Sequence, residues 1–111
     1  MPVEYAAEHD KIAILEKQLM QFEYYAEDLE SRKRRIENDL RMEIEIKAED
    51  KASGLTNEKK RQLAYDELAD CNEELQGLTE EVKIIRRECK KIRIEIGNEQ
   101  RAFQLLIHKN E

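Results

Sequence analysis

Apolar residues recur every three and then four positions along two long stretches of this chain. That spacing keeps one stripe of a helix facing a neighbouring helix. In the first stretch the stripe reads Tyr5, Ile12, Leu15, Leu19, Phe22, Ala26, Leu29, Ile36 and Leu40, with Glu8 and Lys33 interrupting it. Past Leu40 the step changes to Ile44 and Ala48, a stutter that locally unwinds a supercoil. The second stripe runs Ala64, Leu68, Cys71, Leu75, Leu78, Val82, Ile85, Cys89, Ile92, Ile96, Phe103 and Leu106, broken only by Glu99. The pattern predicts one helix over about residues 4–50 and another over about 57–108, within a single domain covering 1–111.

Between them lies Lys51-Ala52-Ser53-Gly54-Leu55-Thr56-Asn57. Gly54 suits the left-handed conformation that closes a helix, and Thr56 or Asn57 suits the cap of the next one. A turn of about residues 51–56 makes the two helices antiparallel neighbours. The expected fold is therefore all-α, a long antiparallel coiled-coil hairpin.

A second apolar set stands off the stripe: Ile14, Met20, Tyr24, Tyr25, Met42 and Ile46 on the first helix, Leu63, Ile84, Ile94 and Leu105 on the second. A lone two-helix hairpin has little core of its own. The off-stripe set, with Ile14, Met20, Tyr24, Tyr25, Ile84 and Ile94 as interface candidates, predicts a dimeric four-helix bundle or a higher homo-oligomer.

Composition narrows the class. Ala, Glu, Lys, Leu and Arg supply 60 of 111 residues, and Gly and Pro together only four. Few turns are available, which excludes sandwiches, barrels and dinucleotide-binding α/β folds. No apolar run is long enough for a membrane span, and no signal peptide is apparent, so the expected location is cytoplasmic. Gly77 and Gly97 interrupt the second helix at a cost of roughly 1 kcal/mol each relative to Ala, and predict a kink or a close helix approach.

Charge is arranged in blocks. Residues 1–30 carry eight acids and two bases, 31–61 ten bases and seven acids, 62–82 seven acids and no base, and 83–111 eight bases and four acids. Folding the chain back at Gly54 lays acidic blocks beside basic ones, which sets orientation even where single surface pairs contribute little. In that arrangement Arg32–Arg35 and Arg41 answer the acids of 62–82.

Little chemistry is written into the sequence. Cys71 and Cys89 stand eighteen residues apart, about 27 Å along a helix, too far to bridge each other. As stripe residues they are expected to be small buried hydrophobes in a reducing compartment. His9 and His108, with Glu4, Glu8 and Glu111, lack any metal-ligand spacing, and frayed ends are the ordinary reading. No phosphate loop or nucleophile–base set is present, so no catalytic residue, cofactor or metal is expected.

Two basic clusters remain. Arg32-Lys33-Arg34-Arg35 lies close to Tyr24 and Tyr25, whose rings suit base stacking. Lys59-Lys60-Arg61 opens the second helix, where the macrodipole normally favours acids. Both are candidate phosphate-binding groups, although the net charge of −6 opposes nucleic acid at long range. The stretch Leu55-Thr56-Asn57-Glu58-Lys59-Lys60-Arg61, followed by a long helix ending Arg101-Ala102-Phe103-Gln104-Leu105-Leu106, resembles bacteriophage recombination-mediator proteins over the second half of the chain. That resemblance implies a helical oligomer that binds single-stranded DNA through Lys59, Lys60, Arg61 and Arg32–Arg35. The expected function is a non-enzymatic scaffold or adaptor whose partners are itself and another protein. The alternatives are the single-stranded DNA accessory factor and an acidic inhibitor whose base-free 66–81 face occupies a basic groove.

Overall fold

A computed structural model describes residues 3–109, with side-chain surroundings from Tyr5 onward. Helix α1 spans Val3–Ala48, a single 3-10 turn spans Lys51–Ser53, α2 spans Glu58–Cys71 and α3 spans Glu73–Lys109. Among the described residues no strand occurs. The protein is all-α. Helix α1 continues for 46 residues because nothing within it breaks a helix: it holds neither glycine nor proline. It ends where Asp50 caps the 3-10 turn by accepting the Ala52 N–H at 2.9 Å. Gly54 then takes φ 78°, a left-handed conformation that costs a side-chain-bearing residue dearly. Asn57 caps α2, its Oδ1 accepting the Lys60 N–H at 2.9 Å.

The second stripe does not ride on one helix. At Asn72 the backbone turns extended (φ −85°, ψ 102°). Its side-chain Oδ1 accepts the Leu75 N–H at 2.9 Å, starting α3, while its own N–H reaches back to the Ala69 carbonyl at 3.2 Å. Gln76 donates to the same Ala69 carbonyl at 2.9 Å. The expected helix over 57–108 is therefore interrupted at an asparagine whose side chain competes for backbone donors. The two glycines are helical. A Cβ at Gly77 would meet nothing within 4 Å, so no close approach explains that residue.

The chain divides into two compact units, one of residues up to Glu27 with those from Lys83, the other of Asp28–Val82. In the first, Leu15, Ile92 and Ile96 form the buried cluster, with Leu19 and Phe22 packed against it. Tyr5 and Phe103 meet edge to face at 5.9 Å, and the Tyr5 hydroxyl donates to the Leu106 carbonyl at 3.1 Å. Lys11 pairs with Glu99 at 3.0 Å, and Glu23 pairs with Arg93. Partners on α3 fall in number as those on α1 rise, so the two segments run antiparallel within this unit.

In the second unit Leu29, Ile44, Leu75 and Leu78 are buried, together with Tyr65. Tyr65 lies off the predicted stripe. The Arg41 guanidinium covers its ring at 4.0 Å, and its hydroxyl points to Glu37 at 3.5 Å. Cys71 is exposed, against the expectation of burial, whereas Cys89 is fully buried. The break at Asn72 is the reason: it releases α2 from the phase of α3, and the turn that buries Tyr65 carries Cys71 outward.

Candidate functional site

Every stripe position of α1 from Tyr5 to Ala48 is at least half-buried, and Glu8 and Lys33, the two residues that interrupt it, are also half-buried. Glu8 and Glu99, one interruption from each stripe, meet in the first unit. Glu8 Oε2 is shut off from solvent with no hydrogen-bond donor reaching it. The Glu8 carboxyl is held above the ordinary carboxylate range, first by its hydrogen bond with Glu99, then by desolvation and by the Glu99 charge. Lys11 supplies the counter-charge. It pulls Glu99 below the ordinary range through their hydrogen bond, and its own ammonium is stabilised in return. This polar layer sits among apolar layers, the position in which polar residues specify register in coiled coils at some cost in stability.

The ten off-stripe apolar residues are all exposed, from Tyr25 at 42% to Leu105 at 69%. Seven of them, Ile14, Met20, Tyr24, Tyr25, Ile84, Ile94 and Leu105, belong to the first unit. The six interface candidates do not share one face. Measured from the buried stripe, Ile14, Tyr25 and Ile84 fall on one flank of the helix pair, Met20 on the other, and Tyr24 and Ile94 on the outer side.

The basic candidates are separated too. Arg32 pairs with Asp28 at 2.9 Å on its own helix, and Arg34 bonds to Ser31 Oγ at 3.3 Å. Lys33 is half-buried while Arg35 is exposed. Lys59 and Lys60 are exposed and make no ion pair, and Arg61 Nε donates to the Leu55 carbonyl at 3.4 Å. Arg41, expected beside the acidic 62–82 block, lies against that segment by covering the Tyr65 ring. Burial and the Glu37 charge push the Tyr65 hydroxyl up, the nearby Arg41 charge opposing them.

Two hollows lie in the second unit. One of about 160 Å³ is lined by Arg41, Ile44, Glu45, Glu58, Arg61, Gln62 and Tyr65. The other, about 320 Å³ and mainly apolar, is bordered by Ile44, Leu55, Ala64, Leu68 and Cys71, with Lys47 and Glu67 at its edge. Cys71 and the Tyr65 environment were invisible to the periodicity, since both depend on the phase change at Asn72. Among the described residues no three His, Cys, Asp or Glu groups converge on a point that a metal ion would occupy. His9 is exposed, and Glu111 and the Glu4 side chain lie outside the described residues. No helix among the described residues is long and apolar enough to cross a membrane. Comparison with protein families, curated proteins and solved structures gives no match.

Proposed function

We propose that this protein works by binding rather than catalysis, as a helical scaffold that associates with copies of itself. The observation that carries the reading is the set of ten large apolar side chains standing in solvent, seven of them in one unit. Single exposed hydrophobes are ordinary, but several concentrated on one short helix pair mark an interaction surface. In this reading the chain folds back at Gly54 as an antiparallel coiled-coil hairpin, and two hairpins complete a four-helix bundle that holds further protein partners. The free thiols of Cys71 and Cys89 support a reducing, cytoplasmic setting. Light scattering at micromolar concentration tests the self-association. A mass of two or more chains is expected; the 13.2 kDa of one chain would overturn the reading.

A second reading, binding of single-stranded DNA, draws on Lys59 and Lys60, which stand exposed without acidic partners beside the capped start of α2. Fluorescence anisotropy of a labelled single strand across a salt series tests it. Phosphate contacts weaken steeply with salt through counterion release, and Lys59→Ala with Lys60→Ala should flatten that slope. Absence of binding at low salt removes this reading.

A further inference from the structure

The two flanks of the first unit differ in kind. Ile14, Ile84 and Leu105 each stand two residues after a stripe residue (Ile12, Val82 and Phe103) and one before the next, while Tyr25 stands immediately before Ala26. In an antiparallel helix pair, positions equivalent in this way on the two helices face the same side. Tyr25 also lies eleven residues from Ile14, about three turns, so both project from one line of α1. The α1 strip on this flank reads Ala7, Lys11, Ile14, Gln18, Gln21 and Tyr25, all exposed and carrying a single charge. The opposite flank holds the Glu23–Arg93 pair, each residue following a stripe residue by one. There Glu16 and Glu27 on α1 and Lys83 and Lys90 on α3 make the surface densely charged.

We infer that the Ile14–Tyr25–Ile84–Leu105 flank is the docking surface for one second copy of this chain, with α1 of each copy against α3 of the other. This rests on the self-association proposed above and deepens it by naming the face and the arrangement. Three observations select a second copy as the occupant. Interface cores are depleted in charge, and this flank is the less charged of the two. Its charges, Lys11 and Lys91 against Glu88 and Glu95, balance, so two copies meet without net repulsion. A two-fold axis running along the helices also brings Lys11 of one copy within about one helical turn of Glu95 of the other, since Lys11 lies level with Glu99 within its own chain and rotation about such an axis keeps every residue at its height. The area suffices as well. Two helices together are about 20 Å across, and roughly 24 residues of each span about 36 Å, which gives on the order of 700 Å² per copy. A standard interface takes about 800 Å² per partner.

Light scattering and sedimentation of the full chain test this, with circular dichroism to confirm that each variant stays helical. The wild type is expected to be a dimer. Ile84→Glu, and separately Ile14→Glu, should weaken dimerisation at least tenfold, while Met20→Glu on the opposite flank should change it less than twofold. A monomeric wild type overturns the self-association and this inference together. A dimeric wild type that Ile14→Glu and Ile84→Glu leave intact, or that Met20→Glu disrupts equally, overturns the assignment of the face alone. A wild type larger than a dimer overturns the two-copy arrangement.

Discussion

Gly54 and Gly77 are the same residue in opposite circumstances. Gly54 takes φ 78°, where any L side chain is strained, whereas Gly77 sits in a regular helix with open space where a Cβ would be. Gly54→Ala should therefore destabilise the protein by about 1–2 kcal/mol, the cost of a left-handed conformation. Gly77→Ala should stabilise it by about 1 kcal/mol, because alanine gives up less chain entropy in a helix. Urea denaturation midpoints check both signs. A stabilising Gly54→Ala would mean that the turn is not left-handed in solution. Asn72 shows the converse of glycine: a residue whose side chain, not its backbone freedom, interrupts a helix. Periodicity is blind to such a residue, because the apolar positions on either side stay in step by count while the helix between them is broken.

Among the elements, α1 was the most legible. Its lack of glycine and proline and its long stripe allow nothing but a helix, and its observed span of Val3–Ala48 lies within two residues of the expected bounds. The turn was legible for the same reason, since Gly54 and Asn57 carry its two caps. The second helix was not. Two short-range bonds of Asn72, one made by the side chain and one by the backbone, outweigh the helix propensity of the residues around it. Asn72→Ala removes the cap of α3 and should cost about 1 kcal/mol of stability by thermal or urea unfolding. An unchanged midpoint would show that tertiary packing holds the break without the cap. The consequence reaches the surface: Tyr65 turns inward under Arg41, and Cys71 turns outward beside the apolar hollow.

At the scale of the whole molecule two of the three exceptions in the stripes explain each other. Glu8 and Glu99 interrupt different stripes, yet they meet through a hydrogen bond in one layer with Lys11. A carboxyl whose pKa is raised in the folded state contributes its stability while protonated. That contribution is full below its unfolded pKa and is lost as pH rises through the raised folded value. Glu99 has the opposite sign: its contribution is present above its unfolded pKa and fades as pH falls through the lowered folded one. Glu8→Gln imitates the protonated carboxyl, so it should raise the melting temperature at pH 7. Its advantage should shrink as pH falls through the raised folded value and be gone once pH is below the ordinary carboxylate range, because the wild type has by then protonated on its own. A variant less stable than wild type by the same margin at pH 7 and pH 4 would show that Glu8 is not a charge held against Glu99.

The sequence alone determined that the chain is helical, where it turns, and which apolar residues lie off the stripe. These follow from local propensity and from a period that each segment carries in itself. Exposure of all ten off-stripe residues agrees with that count. Tertiary structure decided two other matters: the phase of α2 after the break at Asn72 and the meeting of Glu8 with Glu99. Each depends on how one segment is rotated against another, and a repeat read along a single chain carries no information about that rotation.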